Sequence, residues 1–129
     1  MGMSLFDLDG PIAFAEGVDL NTTGDTAFSV IPNGSRKFIV TRIVVTNASA
    51  NLSGGSLQYG IFEDPLEAGE VILANGVNSA TSLTAASKFI SPASAQNDTI
   101  DTDTIYFHVE VANGSAATAD VYLWGVAIP

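Results

Sequence analysis

The amino-acid sequence predicts an all-β domain, an antiparallel β-sandwich of about eight or nine short strands. Turn signals recur along the whole chain, at residues 9–11, 23–25, 32–34, 53–55, 75–76 and 113–114. Between them lie short runs rich in Val, Ile, Phe, Tyr and Thr, the residues that are enriched in strands. Short strands at regular spacing are typical of a sandwich or barrel and argue against alternating strand and helix units.

Five of the expected strands are short apolar runs, each bounded by residues that favour turns. Their β-branched and aromatic residues suit a pleated, half-buried surface. In chain order they are residues 12–18, 26–31, 56–62, 71–74 and 89–91.

The clearest strands are the three longest runs, residues 37–47, 104–112 and 120–128. Apolar and polar side chains alternate in residues 104–112, which indicates a strand with one buried face. The predicted buried face carries Ile105, Phe107, Val109 and Val111, and the opposite face carries Tyr106, His108 and Glu110. Residues 37–47 are apolar on both faces at several positions, so we expect cover on both sides. The opposite sheet would cover one face of this strand, and a loop or a neighbouring subunit would cover the other face.

The composition indicates one folded domain that needs no disulfide and no metal to fold. The chain has 129 residues and a mass of 13.3 kDa, the size of an ordinary domain. Hydrophobic residues make up 47% and charged residues 14%, the reverse of the balance in disordered chains. Cysteine is absent. We divide the chain into residues 1–20, an N-terminal arm or first strand, and residues 21–129, the β-sandwich domain.

The charge argues against nucleic acid and membranes as partners. The 14 acidic and 4 basic residues leave a net charge of −10, whereas nucleic-acid binders neutralise phosphates with a basic surface. No apolar run is long enough to span a bilayer. Residues 1–20 contain no Lys or Arg, so they do not resemble a secretory signal.

No residue is expected to be catalytic, and no cofactor is expected. His108 is the single histidine, and its place on the outer face of a strand favours a surface or interface role. The sequence has no G-x-S-x-G nucleophile motif. Asp98, Asp101 and Asp103 form a weak candidate for a calcium site. They lack the glycine and final glutamate of an EF-hand loop, so we expect no bound metal.

Three of the four basic residues lie close together in the sequence. Arg36 and Lys37 stand at the start of the 37–47 strand, and Arg42 lies within it. On an acidic chain this group could contact an acidic partner or the carboxylates of a neighbouring subunit. Charged residues also protect strand edges from pairing with other chains, and the sequence leaves both interpretations open.

Four segments together resemble small structural proteins of tailed bacteriophage virions, of the head-decoration or cement type. None of them is a catalytic motif, and together they span most of residues 21–128. They are NTTGDT at residues 21–26, IPNG at 31–34, VTRIVVTNAS at 40–49 and ATADVYLWG at 117–125.

The resemblance implies a non-enzymatic, jelly-roll-like sandwich that forms a homotrimer and binds the major capsid protein on the outside of an icosahedral head. It would be made in the cytoplasm of the bacterial host and would stabilise capsomer junctions. For the capsid contact we expect an N-terminal arm and the basic group, that is Leu5, Phe6, Leu8, Arg36, Lys37 and Arg42. For the subunit interface we expect Tyr106, His108, Tyr122 and Trp124.

Two other functions remain open at this point. Sandwich folds also host carbohydrate-binding modules, because a fold does not determine a function. A tail or baseplate component of a phage would share the same β-rich, cysteine-free composition.

Overall fold

A computed structural model describes residues 10–30, 37–52, 55–76, 78, 88–92 and 99–128. These residues form nine strands and no helix, which confirms the predicted all-β class. It follows that no helix in the described part of the chain is long and apolar enough to cross a membrane. The strands are β1 Gly10–Asp19, β2 Gly24–Ser29, β3 Lys37–Thr46, β4 Gln58–Asp64, β5 Ala68–Gly76, β6 Lys88–Pro92, β7 Ile100–Asp101, β8 Thr104–Val111 and β9 Thr118–Ile128.

The strands pair in two antiparallel sheets. Sheet A has the order β1-β9-β3-β6, with the two-residue β7 also paired to β3, and sheet B has the order β2-β8-β4-β5. Early strands therefore pair with late ones: β1 with β9, β2 with β8, and β3 with β6, while β4 and β5 form the closing hairpin. This is the order of a long hairpin folded over itself, and it makes the sandwich jelly-roll-like.

The hydrophobic core lies between the two sheets and is built from the residues that alternate inward along each strand. Ile105, Phe107 and Val109 of β8 are at most 1% exposed, so the predicted alternation is confirmed for them. The Phe107 ring stacks on Tyr59 of β4, with centroids 5.0 Å apart. Val111 was predicted to be buried and is instead 37% exposed, since β8 ends at this residue.

A β-bulge in β3 explains why this strand is apolar on both faces. The register with β9 shifts between Val40 and Arg42, so one extra residue enters β3 there. Phe38 and Val40 are buried before the shift, and Ile43 and Val45 are buried after it. The inward positions change from even to odd numbers, which places part of each apparent face in the same core.

The predicted N-terminal segment contributes its second half to the sandwich. Residues 10–19 form β1, which pairs with β9 along sheet A. Its Ile12 and Ala13 are 3% and 0% exposed and belong to the core. Leu5, Phe6 and Leu8, the residues expected in a contact arm, lie outside the described residues.

Candidate functional site

The four residues predicted to form a subunit interface lie on opposite sides of the sandwich. Tyr106 and His108 alternate with the buried residues of β8, so they project from the outer face of sheet B. Tyr122 and Trp124 alternate with the buried residues of β9 and project from the outer face of sheet A. One flat subunit interface can include only one of these two pairs, so the two outer faces are separate candidate surfaces.

The outer face of sheet A carries Phe14, Tyr122, Trp124 and Arg42, which we call the aromatic face. The Phe14 and Tyr122 rings stack with centroids 6.1 Å apart, and the Arg42 guanidinium lies 4.8 Å from the centroid of the Trp124 ring. Strand register produces both contacts, because Phe14 is opposite Tyr122 and Arg42 is opposite Trp124. Phe14 is 47% exposed, so this face presents apolar surface to solvent.

The expected basic group is not one continuous patch in the described residues. Arg36 lies outside them. Lys37 stands at the start of β3, opposite Asp101 of β7, whereas Arg42 is opposite Trp124 in the middle of sheet A. At about 3.3 Å per residue the two cations are roughly 16 Å apart along β3. Arg42 therefore acts as part of the aromatic face.

The outer face of sheet B brings His108 together with three carboxylates, a group that we call the His108 cluster. The His108 Nδ1 atom is 2.7 Å from Oδ1 of Asp25. Its Nε2 atom is 2.7 Å from Oε1 of Glu67 and 3.1 Å from Oε2 of Glu110. The imidazole is 12% exposed, while Glu67 and Glu110 are 38% and 47% exposed, so the cluster is open to solvent on the glutamate side.

Three different elements position the cluster. Asp25 of β2 is the register partner of His108 on β8, and Glu110 follows two residues later on the same face of β8. Glu67 comes from the turn between β4 and β5, where Leu66 and Glu67 have φ angles of 60° and 64°. The Leu66 N–H donates a hydrogen bond of 2.9 Å to Oδ2 of Asp25, which joins this turn to β2.

A small apolar contact supports the imidazole from the side of β4. Phe62 is 4% exposed but does not belong to the main core between the sheets. Its ring meets the His108 ring edge-on, with centroids 6.1 Å apart. Gly60, the register partner of His108 on β4, leaves room beside the imidazole that the Asn75 side chain occupies. The Oδ1 atom of Asn75 lies 2.7 Å from where a Cβ on Gly60 would be.

The electrostatics of the cluster favour a proton on the histidine. Burial lowers the pKa of His108, but hydrogen bonds to Asp25 and Glu110 and the charge of Glu67 outweigh burial and raise it above the ordinary value of 6.5. The hydrogen bond between Glu67 and Glu110 raises the pKa of Glu67 and lowers that of Glu110. Such a split is expected where two carboxylates compete for one proton.

The His108 cluster is not the candidate calcium site of the sequence, which consisted of Asp98, Asp101 and Asp103. Asp98 lies outside the described residues, and Asp101 and Asp103 are exposed. Within the described ranges, the group of potential ligands close enough to share one ion is Glu67, His108 and Glu110. The sequence placed His108 and Glu110 on one strand face, but nothing in it pointed to Asp25 or Glu67 as their neighbours.

Comparisons with family models, with curated proteins and with solved structures found no match to this chain.

Proposed function

We propose that this chain is a non-catalytic structural protein of a tailed bacteriophage, which binds the outside of the icosahedral capsid as a trimer and stabilises capsomer junctions. The four sequence segments that resemble head-decoration proteins support the proposal. The jelly-roll-like topology is compatible with it, since this architecture occurs in viral capsid domains. Because one fold serves many functions, the surface of the sandwich has to distinguish between them.

The aromatic face is the observation that carries the proposal. Outward positions on the strands of a monomeric sandwich are usually polar, whereas sheet A presents Phe14, Tyr122 and Trp124 side by side. Aromatic residues and arginine are the types most enriched among the residues that dominate protein interfaces. Arg42 adds a positive charge to this face of a chain whose net charge is −10, which suits a capsid surface that is locally acidic.

Stabilisation of a capsid by such a protein requires no chemistry. A ligand that binds only the assembled shell stabilises it by RT ln(1 + [L]/Kd). Three copies in one trimer present each weak contact three times, so the whole trimer binds more tightly than one chain would.

A carbohydrate-binding module, the main alternative, fits the aromatic face less well. Sugar rings stack on open aromatic surfaces, but the Arg42 guanidinium already lies 4.8 Å from the Trp124 centroid. A glycan array with strong hits and no capsid binding would support this alternative and contradict the proposal.

The test is co-sedimentation of the purified chain with capsids of the encoding phage that were assembled without it. The chain offers a matched pair, because Tyr122 and Tyr106 are both half-buried tyrosines on opposite outer faces. We expect Tyr122→Ala to weaken capsid binding by about tenfold or more, as for an interface residue worth about 1.4 kcal/mol or more. Tyr106→Ala should leave binding unchanged.

Light scattering after size-exclusion chromatography tests the trimer, whose mass would be three times the chain mass of 13.3 kDa. A ring of six subunits would favour a tail component and contradict capsid decoration. Equal loss of binding in both tyrosine variants would contradict the role of the aromatic face. A truncation that tests the N-terminal arm should end at Asp9, because Ile12 and Ala13 are core residues.

A further inference from the structure

We propose that His108, Glu67 and Glu110 form a binding site for a divalent transition-metal ion of the zinc type, on the face of the sandwich opposite the aromatic face. One imidazole nitrogen and two carboxylate oxygens lie within 4.8 Å of one another. Zinc bonds to histidine nitrogen and carboxylate oxygen are about 2.0–2.2 Å long, so tetrahedral ligands are roughly 3.4 Å apart. The observed distances from Nε2, 2.7 Å to Glu67 and 3.1 Å to Glu110, need only small side-chain movements to reach this spacing.

Asp25 holds the imidazole in the form that binds a metal. Its Oδ1 atom lies 2.7 Å from Nδ1 of His108, so when a metal replaces the proton on Nε2, Nδ1 keeps its hydrogen and donates it to Asp25. Metal-binding histidines usually donate their other ring N–H to a carboxylate or carbonyl in this way. Asp25 is fixed in turn by the Leu66 N–H, which donates to its second oxygen.

The carboxylates of Glu67 and Glu110 lie close together, so a bound dication would neutralise their negative charge. Oε1 of Glu67 and Oε2 of Glu110 both approach the same Nε2 atom, at 2.7 Å and 3.1 Å, with Asp25 on the other side of the ring. A metal ion bound by these three atoms would displace to solvent any proton that they hold. The bound ion would then tie β8 to the turn between β4 and β5.

An unsatisfied oxygen at the edge of the cluster is independent support. The Asn75 side chain hydrogen-bonds to Glu67, yet its Oδ1 atom is fully buried and has no hydrogen-bond partner in the described part of the chain. Buried acceptors without a donor are rare and often mark an ion or water. Asn75 borders the site because it sits over Gly60, the register partner of His108. A water bound to the metal would provide the missing donor.

The ligand types select the class of ion. Calcium and magnesium prefer sites made only of oxygen, and this site has an imidazole at its centre. Imidazole with carboxylates suits zinc and neighbouring transition metals. With three protein ligands and a solvent-exposed side, the site leaves at least one position for water.

The experiment is a calorimetric titration of the full metal-free chain with zinc chloride, followed in parallel by NMR. Because His108 is the single histidine, its Cε1–H signal reports binding without ambiguity. We expect one zinc ion per chain, and a shift of that signal on binding. His108→Gln and Glu110→Gln should each weaken the affinity by tenfold or more, and Asp25→Asn by about 10- to 100-fold.

Glu16→Gln is the matched control, since Glu16 is an exposed glutamate on sheet A, away from the cluster. It should bind zinc like the unmodified chain. Circular dichroism checks the fold of each variant. If His108→Gln unfolds, the zinc affinity of Glu110→Gln tests the site, because Glu110 is an exposed residue. A dissociation constant for zinc above about 0.1 mM, which is much weaker binding than at natural zinc sites, would overturn the proposal. Equal binding by all variants, or equal affinity for calcium, would overturn it as well. Tyr122→Ala, which tests capsid binding, lies on the opposite sheet from this site, so the two proposals can fail separately.

Discussion

Replacing Gly125 with alanine should destabilise the sandwich, because β9 passes β3 too closely here for any side chain. A Cβ on Gly125 would lie 2.0 Å from the carbonyl oxygen of Ile39 and 2.9 Å from its carbonyl carbon. Both are backbone atoms, so no change of rotamer relieves the contact. The close approach arises at the bulge, where the register of β3 shifts just after Val40, the partner of Gly125.

The expected cost is about 3–4 kcal/mol. Overpacking in a well-packed interior costs about 1–3 kcal/mol. Here β9 must also move away from β3, which weakens neighbouring ladder hydrogen bonds worth about 1 kcal/mol each. With a slope of about 1.5 kcal/mol per M urea, the midpoint of urea unfolding should fall by about 2–2.7 M. A loss of that size is a large fraction of the typical stability of a domain.

Gly10 provides the matched control, since it faces Gly125 across the β1–β9 pair. A Cβ on Gly10 would meet no atom within 4 Å. Gly10→Ala should therefore change stability by less than about 1 kcal/mol, and in the stabilising direction because alanine restricts the unfolded chain. A Gly125→Ala cost below about 1 kcal/mol, or equal costs at both positions, would refute the steric argument.

Changes at three other positions should alter the stability of the isolated chain. Because partners raise the pKa of His108 above 6.5, its stabilising contribution is complete below that pH and is lost as pH rises through the raised value. Urea unfolding with a chelator, from about pH 6 to about pH 9, should show this decline, and His108→Gln should abolish it. Leu66→Gly should raise stability by about 0.5–1 kcal/mol in thermal unfolding, because a φ of 60° is unfavourable for leucine but not for glycine. An unchanged or lower melting temperature would contradict this. Asp120→Ala should cost about 1–2 kcal/mol in urea unfolding, because its carboxylate accepts hydrogen bonds from the Gly17 N–H and the Asn47 amide. A change in the free energy of unfolding indistinguishable from zero would mean that these hydrogen bonds are no stronger than those that the same groups make to water.

The sandwich class and the buried face of β8 were predictable from the sequence alone. Alternation such as that of Ile105, Phe107 and Val109 is a local property, because successive residues of any strand point to opposite sides. Turn residues likewise act through their own backbone preferences, so the spacing of strands was visible without knowing their partners. The two-residue β7 was missed, since Ile100 and Asp101 are too few to show a period.

The bulge in β3 was not predictable, because one inserted residue changes the face of every residue after it. Before the shift Phe38 and Val40 point inward, and after it Ile43 and Val45 do. From the sequence the same pattern looked like a strand covered on both sides. Only the pairing with β9, and the space that Gly125 leaves, shows where the phase changes.

The features that could be predicted from the sequence are therefore local: the fold class, the approximate strands and the outward position of His108. The contacts between residues far apart in the chain depend instead on how the strands pair. His108 and Asp25 are 83 positions apart and touch because β2 and β8 pair in one particular register. Glu67 joins them because two residues with positive φ angles turn the β4–β5 hairpin toward them. Register is set by packing of the whole core, so no short stretch of sequence contains it.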